Sequence, residues 1–320
     1  MQTAQNGCLV HSHVPTSVKE LVINWHITDE CNYRCRYCYS TWKKSLLKTA
    51  IHDPKIMGKI LIELFSFFDP SNTNNPLRSR LNWSQVRLSI AGGEPLLYTD
   101  QVMAITRMAK EMGFNLSLIT NGSCLNKAPH ELLSNLSALG VSLDSGTPFL
   151  NQTIGRRTST GSVLSINDLL SAVSRGKKLN PDLKLKVNTV VNSINFNQDI
   201  SRVIHKLKPN KWKVLRVLPV VSDNLTVTED QFESFVNRHI HFSDILAVED
   251  NQEMTESYLM IDPYGRFFQN SACNGTSNPY IYSDHIAHVG AKRAFSQIYF
   301  DASKFAARYP GTSDSLRRRV

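Results

Sequence analysis

Short runs of alternating or continuous apolar residues recur along the chain at intervals of roughly 30 residues, each followed by a stretch of helical periodicity. In Leu21–Ile27, Ile23, Trp25 and Ile27 share one face, while Val22, Asn24 and His26 share the other. That is the period of a strand. The same reading predicts further strands at Val86–Ile90, Leu116–Thr120, Val141–Leu143, Lys184–Val190 and Lys211–Leu218. Helical periods are predicted at 56–68, 100–112, 129–138, 162–178, 197–207 and 229–241, and a late strand at Ser257–Ile261. Alternating strands and helices predict a parallel sheet. Six such repeats predict an α/β fold, a partial (β/α)6 TIM-type barrel with a C-terminal extension. The expected boundaries are a lead-in over 1–20, a barrel core over 21–220 and an extension over 221–320 that closes the active site. In such a barrel the inward face carries ligand groups near the C-terminal mouth. Asn24 and His26 are expected to point inward, and a hydrogen-bonded core histidine suits His26 at least as well as a ligand role.

Composition changes this picture little. Hydrophobic residues at 41% and charged residues at 20% are ordinary for a globular chain. Six cysteines in 320 residues do not make a disulfide framework, and clustered thiols suit a reducing compartment. Met1–Gly7 is polar and lacks the apolar core of a signal peptide. No run of about 18 uninterrupted apolar residues occurs, so a soluble, cytoplasmic protein without a membrane partner is expected. The net charge of +9 (36 basic minus 27 acidic residues) would attract nucleic acid, a membrane surface or a small polyphosphate. Part of it is Arg317–Arg319, read as a solvated tail.

The densest chemistry is Cys31, Cys35 and Cys38, directly after the first strand. A four-iron cluster normally takes four thiolates. Three from one tight loop would leave one iron open for another ligand. The competing reading is part of a zinc site or plain buried thiols. Structural zinc wants four ligands, and Cys8, Cys124 and Cys273 are isolated.

Further motifs fall at predicted strand ends. In Gly92–Gly93–Glu94–Pro95 the glycines permit close backbone approach to a ligand, proline rigidifies the exit, and Glu94 offers a carboxylate to a ligand ammonium. Thr120–Ser123 and Ser142–Ser145 follow at the next two ends, where ordinary turn chemistry suits these residues equally well. Arg156 is either a bidentate carboxylate partner or a solvated loop residue.

Lys184, Lys186 and Asn188 fall on one face of the fifth strand, and Lys211 and Lys213 on one face of the sixth. Facing inward, unpaired lysines would each cost on the order of several kcal/mol. A bound triphosphate would relieve that cost; facing outward, the same lysines would simply be solvated. A groove for nucleic acid should interleave aromatic residues on which bases stack. Only Trp212 lies among these lysines, on the opposite face, so a small phosphorylated substrate fits better and no nucleic acid partner is expected.

Taken together, the motifs resemble the viperin family of radical S-adenosylmethionine (SAM) enzymes. The matching stretches are Asn24–Thr28, Cys31–Cys38, Ala91–Pro95, Ser142–Ser145 and Ile154–Arg156. Lys186–Asn192, Trp212–Val214 and Ser257–Asp262 continue them in colinear order, within residues 21–268. The resemblance implies a [4Fe–4S] cluster on Cys31, Cys35 and Cys38. It implies SAM held by Tyr37, Gly93, Glu94, Ser142 and Arg156, and a triphosphate held by Lys186, Asn188, Lys211 and Lys213. Tyr258 is the implied catalytic acid beside the ribose. The implied reaction dehydrates a nucleoside triphosphate (CTP, UTP or GTP) to its 3′-deoxy-3′,4′-didehydro analogue, an antiviral chain terminator, after a 5′-deoxyadenosyl radical abstracts the 4′-hydrogen. A cellular one-electron reductant is the implied partner.

The chain departs from the family in four places. Lys211 stands for a commoner Arg, keeping charge but losing bidentate geometry, and Tyr39 stands where Phe is usual. The amphipathic membrane helix of viperin is missing, and Tyr309–Val320 lacks its aromatic ending. A GTP cyclase of the molybdopterin type is the enzymatic alternative, but it needs a second cysteine triad and only Cys273 lies beyond Cys124. A cluster-bearing nucleic-acid-binding protein is the alternative from another class.

Overall fold

The structure is a computed structural model that describes residues 15–38, 48–219, 223–270 and 280–309. Cys8, Tyr39, Cys273 and the tail from 310 lie outside the described residues. One sheet of ten strands runs through the fold. Six parallel strands follow one another in space as in sequence: β1 (Thr16–His26), β2 (Leu81–Ala91), β3 (Asn115–Thr120), β4 (Ala138–Ser142), β5 (Lys184–Val191) and β6 (Lys211–Arg216). A seventh, β7 (Leu246–Glu249), adds in parallel to β6. On the other side β8 (Leu259–Ile261) runs parallel to β1, and β9 (Arg266–Asn270) and β10 (Tyr280–His285) continue antiparallel.

The helices, which apart from the last lie around the sheet, are α1 (Pro54–Phe68), α2 (Thr99–Met112), α3 (His130–Asn135), α4 (Pro148–Ile154) and α5 (Ile166–Leu179). They continue with α6 (Ser201–Leu207), α7 (Glu229–Arg238) and the short α8 (Asn251–Met254), α9 (Ile286–Val289), α10 (Ala291–Phe295) and α11 (Ala302–Arg308). Local chemistry sets their ends. The Asp53 side chain accepts from the backbone N–H groups of Lys55 and Ile56, and Pro54 opens α1. Ile60, Leu61 and Leu64 then point to the core, fully buried. Gly113 closes α2 in the left-handed region at φ 101°. Thr228 and Gln231 form a reciprocal capping box at the start of α7.

The six-repeat barrel expected from periodicity is present, with adjustments that have physical causes. β1 starts at Thr16 because its first residues pair with Leu81–Trp83 of β2. α5 starts at Ile166, where Ser165 caps it. The late strand shortens to Leu259–Ile261, the segment opposite Ile23–Trp25 of β1. Helix α4 and strand β7 are additions; each is short, and β7 takes its place by pairing with Trp212–Leu215. Finally, α11 ends inside the barrel. Lys211 Nζ donates to the Arg308 carbonyl at 3.3 Å, and Tyr309 shares an internal cavity with Ala138 and Lys184.

Candidate active site

The cysteine loop is held from two sides by backbone. After β1, Ile27 N–H donates to the Ala91 carbonyl at 2.9 Å, Gly93 N–H to Thr28 at 2.7 Å, and Glu94 N–H to Glu30 at 2.8 Å. A Cβ on Gly93 would overlap the Glu30 carbonyl, and Gly92 has φ +143° against Thr28. The close approach these glycines permit is therefore to the loop carrying the cysteines; the expectation of an approach to ligand is corrected to that extent. On the other side, Arg34 N–H donates to Gly155 at 3.1 Å and Arg36 N–H to Ile154 at 2.9 Å. Gly155, at φ +89°, lies where a Cβ would overlap the Arg34 carbonyl. The unexpected helix α4 thus supplies half of the loop's support.

Cys31, Cys35 and Cys38 are half-buried and form no disulfide. Burial pushes the Cys35 thiol up to about 12 and raises Cys31 as well, so ligation must supply the energy of deprotonation. Among the described residues, no three His, Cys, Asp or Glu side chains converge on a single metal ion. A four-iron cluster places each thiolate on its own iron, and three thiols spaced along one supported loop fit that demand. Two donors already face Cys31 Sγ: Tyr33 N–H at 3.3 Å and Asn121 Nδ2 at 3.5 Å.

Glu94 is fully buried. Its carboxylate accepts from Leu96 N–H at 3.1 Å, Thr120 Oγ1 at 2.7 Å and Asn121 N–H at 2.6 Å. Burial raises its pKa, and these donors oppose the rise. The side chain ties the end of β2 to the end of β3. Arg156 follows the same pattern on the next strands. Its Nη1 donates to the Tyr37 hydroxyl at 3.1 Å and lies 3.5 Å from Asp144, and its Nη2 donates to the Ser142 carbonyl at 2.6 Å. Tyr37 in turn donates to Asp144. Arg156 thus meets an internal carboxylate, Asp144, through Nη1 alone while Nη2 serves the Ser142 carbonyl, so neither the bidentate nor the solvated expectation holds; the sequence offered Asp144 only as a turn residue.

Lys186 lies beside Lys211 and Asn188 beside Lys213 in the β5–β6 register. Lys184, Lys186, Lys211 and Lys213 line one interior cavity of about 270 Å³, together with Asn24 and Ser89. Lys184 is exposed at the strand start, whereas Lys213 is 4% exposed. Burial first, and then Lys213, lowers Lys211 to about 8; burial and the neighbouring lysines hold Lys186 well below the ordinary range. Asn188 Oδ1 is buried with no hydrogen-bond partner. Lys213 Nζ reaches Glu249 at 2.5 Å and donates to the Tyr258 hydroxyl at 2.6 Å. Tyr258 donates to Glu249, and burial raises its phenol far above its ordinary value. Arg308 stacks 3.5 Å over the Tyr258 ring.

Glu249 and Arg308 are the site residues that periodicity and motif spacing do not single out, whereas Asn121 and Asp144 fall in strand-end stretches that turn chemistry suits equally well. The signal for Glu249 is a carboxylate closing a short apolar run at repeat spacing after α7.

Cysteine loop, glycine-rich second strand end and parallel barrel together define a radical SAM enzyme. The Radical SAM superfamily profile matches residues 25–191. The chain is 41% identical to an S-adenosylmethionine-dependent nucleotide dehydratase of Pseudoalteromonas ulvae, over 92% of this chain and 94% of that one. It is 39% identical to one of the same name from Psychrobacter lutiphocae, over 95% and 99%. A solved structure titled native anSMEcpe with bound AdoMet aligns with a TM-score of 0.61 at 14% identity, over 92% of this chain and 83% of that one; at that identity it speaks for the fold. The chain belongs to the viperin-like S-adenosylmethionine-dependent nucleotide dehydratases of the Radical SAM superfamily, and so uses a [4Fe–4S] cluster and SAM. Among the described residues no helix is long and apolar enough to cross a membrane.

Proposed function

We propose that the protein dehydrates a nucleoside triphosphate (CTP, UTP or GTP) to its 3′-deoxy-3′,4′-didehydro analogue, a chain terminator for viral polymerases. The observation that carries this reading is the cavity lined by Lys186, Lys211 and Lys213; Asn188, which pairs with Lys213 across β5 and β6 and keeps a buried unpartnered Oδ1, is outside its lining. When bound, cluster and SAM would supply the radical chemistry that takes the ribose 4′-hydrogen, and a cellular reductant would supply two electrons, one to start it and one to complete the alkene as the 3′-hydroxyl leaves as water. Cys31, Cys35 and Cys38 would hold the cluster.

The remaining residues bind, orient and move one proton. Lys186 and Lys211 have no ion pair among the described residues, and a triphosphate brings the charge they lack. Clamping the phosphates fixes which ribose hydrogen faces the cluster side of the barrel. Tyr37, Gly93, Glu94, Ser142 and Arg156 form the wall assigned to SAM. Glu94 and Arg156 contribute chiefly by locking the ends of β3 and β4. Loss of the 3′-hydroxyl as water takes up one proton; Tyr258 is assigned that transfer, with Lys213 Nζ 2.6 Å away to return it.

The test is anaerobic reconstitution with iron and sulfide, then SAM, dithionite and each nucleoside triphosphate in turn. Formation of 5′-deoxyadenosine enhanced by one triphosphate, with a product lighter by one water, is expected. Turnover that no triphosphate enhances would sink the reading. Salt-sensitive binding to polynucleotides without turnover would favour a nucleic-acid-binding protein instead.

A further inference from the structure

Among the described residues lining the lysine cavity, Glu249 is the only carboxylate. It is 3% exposed, at the end of β7. One oxygen lies 2.5 Å from Lys213 Nζ; the other accepts from the Tyr258 hydroxyl and lies 3.8 Å from Arg308. Arg308 is anchored independently, through Nη1 to Ser257 Oγ at 2.6 Å. Of the other cavity cations, Arg87 is paired outward to Glu20 at 3.1 Å. Lys186 and Lys211 make no ion pair among the described residues. Of the cations lining the cavity, Lys213 and Arg87 are compensated by the protein, Lys186 and Lys211 are not, and Lys184 is exposed at the strand start; Arg308 stands behind Glu249 and is compensated by it.

We propose that Glu249 is a built-in counter-ion that engages Lys213 and Arg308 before any polyphosphate arrives, and so sets the affinity of the cavity for its anionic ligand. The proposal rests on the reading that this cavity takes a triphosphate. A charge pair in a buried site is stable only while both members are present. An entering polyphosphate thus competes with Glu249 for Lys213, whereas Lys186 and Lys211 meet it without competition. The consequence is binding weak enough to release product. Burial alone would raise the Glu249 carboxyl, but Lys213 and Arg308 outweigh it and hold the group below its ordinary value, consistent with a standing carboxylate.

Inorganic tripolyphosphate and the preferred nucleoside triphosphate, titrated calorimetrically into the anaerobically reconstituted full chain, provide the test. Glu249→Gln keeps the shape and removes the competing charge. It is expected to bind tripolyphosphate about tenfold more tightly, with a steeper salt dependence. Its melting temperature without ligand should fall, and the rise on adding tripolyphosphate should exceed that of the wild type. Unchanged or weaker binding by folded Glu249→Gln overturns the proposal. Should that variant not fold, Glu249→Asp carries the test: it keeps a carboxylate but draws it back from Lys213, and severalfold tighter binding is expected. Unchanged or weaker binding there is equally fatal. A wild type and variants that all ignore tripolyphosphate and triphosphates defeat the underlying reading of the cavity. A wild type that binds, with Glu249→Gln no tighter, defeats the role of Glu249 alone.

Discussion

The side-chain amide of Asn121 donates to the Cys31 sulfur at 3.5 Å. Its position is fixed from behind, because its own backbone N–H is held by Glu94 Oε2 at 2.6 Å and its Oδ1 accepts from Ser123 N–H at 2.8 Å. The end of β3 is thereby connected, through one buried carboxylate, to the cysteine proposed as a cluster ligand.

Hydrogen bonds to cluster sulfurs stabilise the more negative, reduced state and raise its potential. Asn121→Ala should therefore lower the cluster's midpoint potential by about 40 mV, the one-electron equivalent of about 1 kcal/mol. Potentiometric titration followed by electron paramagnetic resonance measures it; an unmoved midpoint would show that the contact does not survive cluster loading.

Gly93→Ala should fold but load poorly. Its Cβ would overlap the Glu30 carbonyl, and relief of that overlap displaces the loop that begins at Cys31. Iron content per chain should drop severalfold while far-ultraviolet circular dichroism stays unchanged. Full iron loading would mean that the loop yields without cost.

Triphosphate binding should weaken as pH rises through about 8. Burial and Lys213 lower Lys211 from 10.5 to about 8 in the free protein, and a bound polyanion moves it back upward. The complex therefore holds more protons than the free protein above that pH, and affinity falls with rising pH. Calorimetry in buffers of different ionisation heat should detect proton uptake near pH 8.5, and Lys211→Met should reduce it, leaving the share taken up by Lys186.

Acid should destabilise the fold through His26. Burial lowers this histidine from 6.5 to about 4, so between those values the unfolded chain binds the proton that the folded chain refuses. Stability present at pH 7 is lost as pH falls from 6.5 toward 4, by up to about 3 kcal/mol. His26→Gln should flatten the melting temperature between pH 7 and pH 5; an equally steep acid decline in that variant would place the sensitivity elsewhere.

Much of this was legible in one dimension, because local physics writes it there. Alternation in Leu21–Ile27 and the capped apolar face of α1 report on neighbours two, three or four positions away. The cysteine triad is likewise a local loop, and the lysine faces of β5 and β6 follow from a period of two. Glu249 and Arg308 carry no such mark. They reach Lys213 and Tyr258 only because β7 adds to β6 and α11 returns to the barrel interior. The same holds for Gly93, whose neighbour Glu30 lies across two strand ends, and for Asp144, which meets Arg156 beyond an intervening helix. Sequence spacing reveals which groups the chain possesses; which charge neutralises which is a property of contacts between distant segments, settled only when the sheet closes around them.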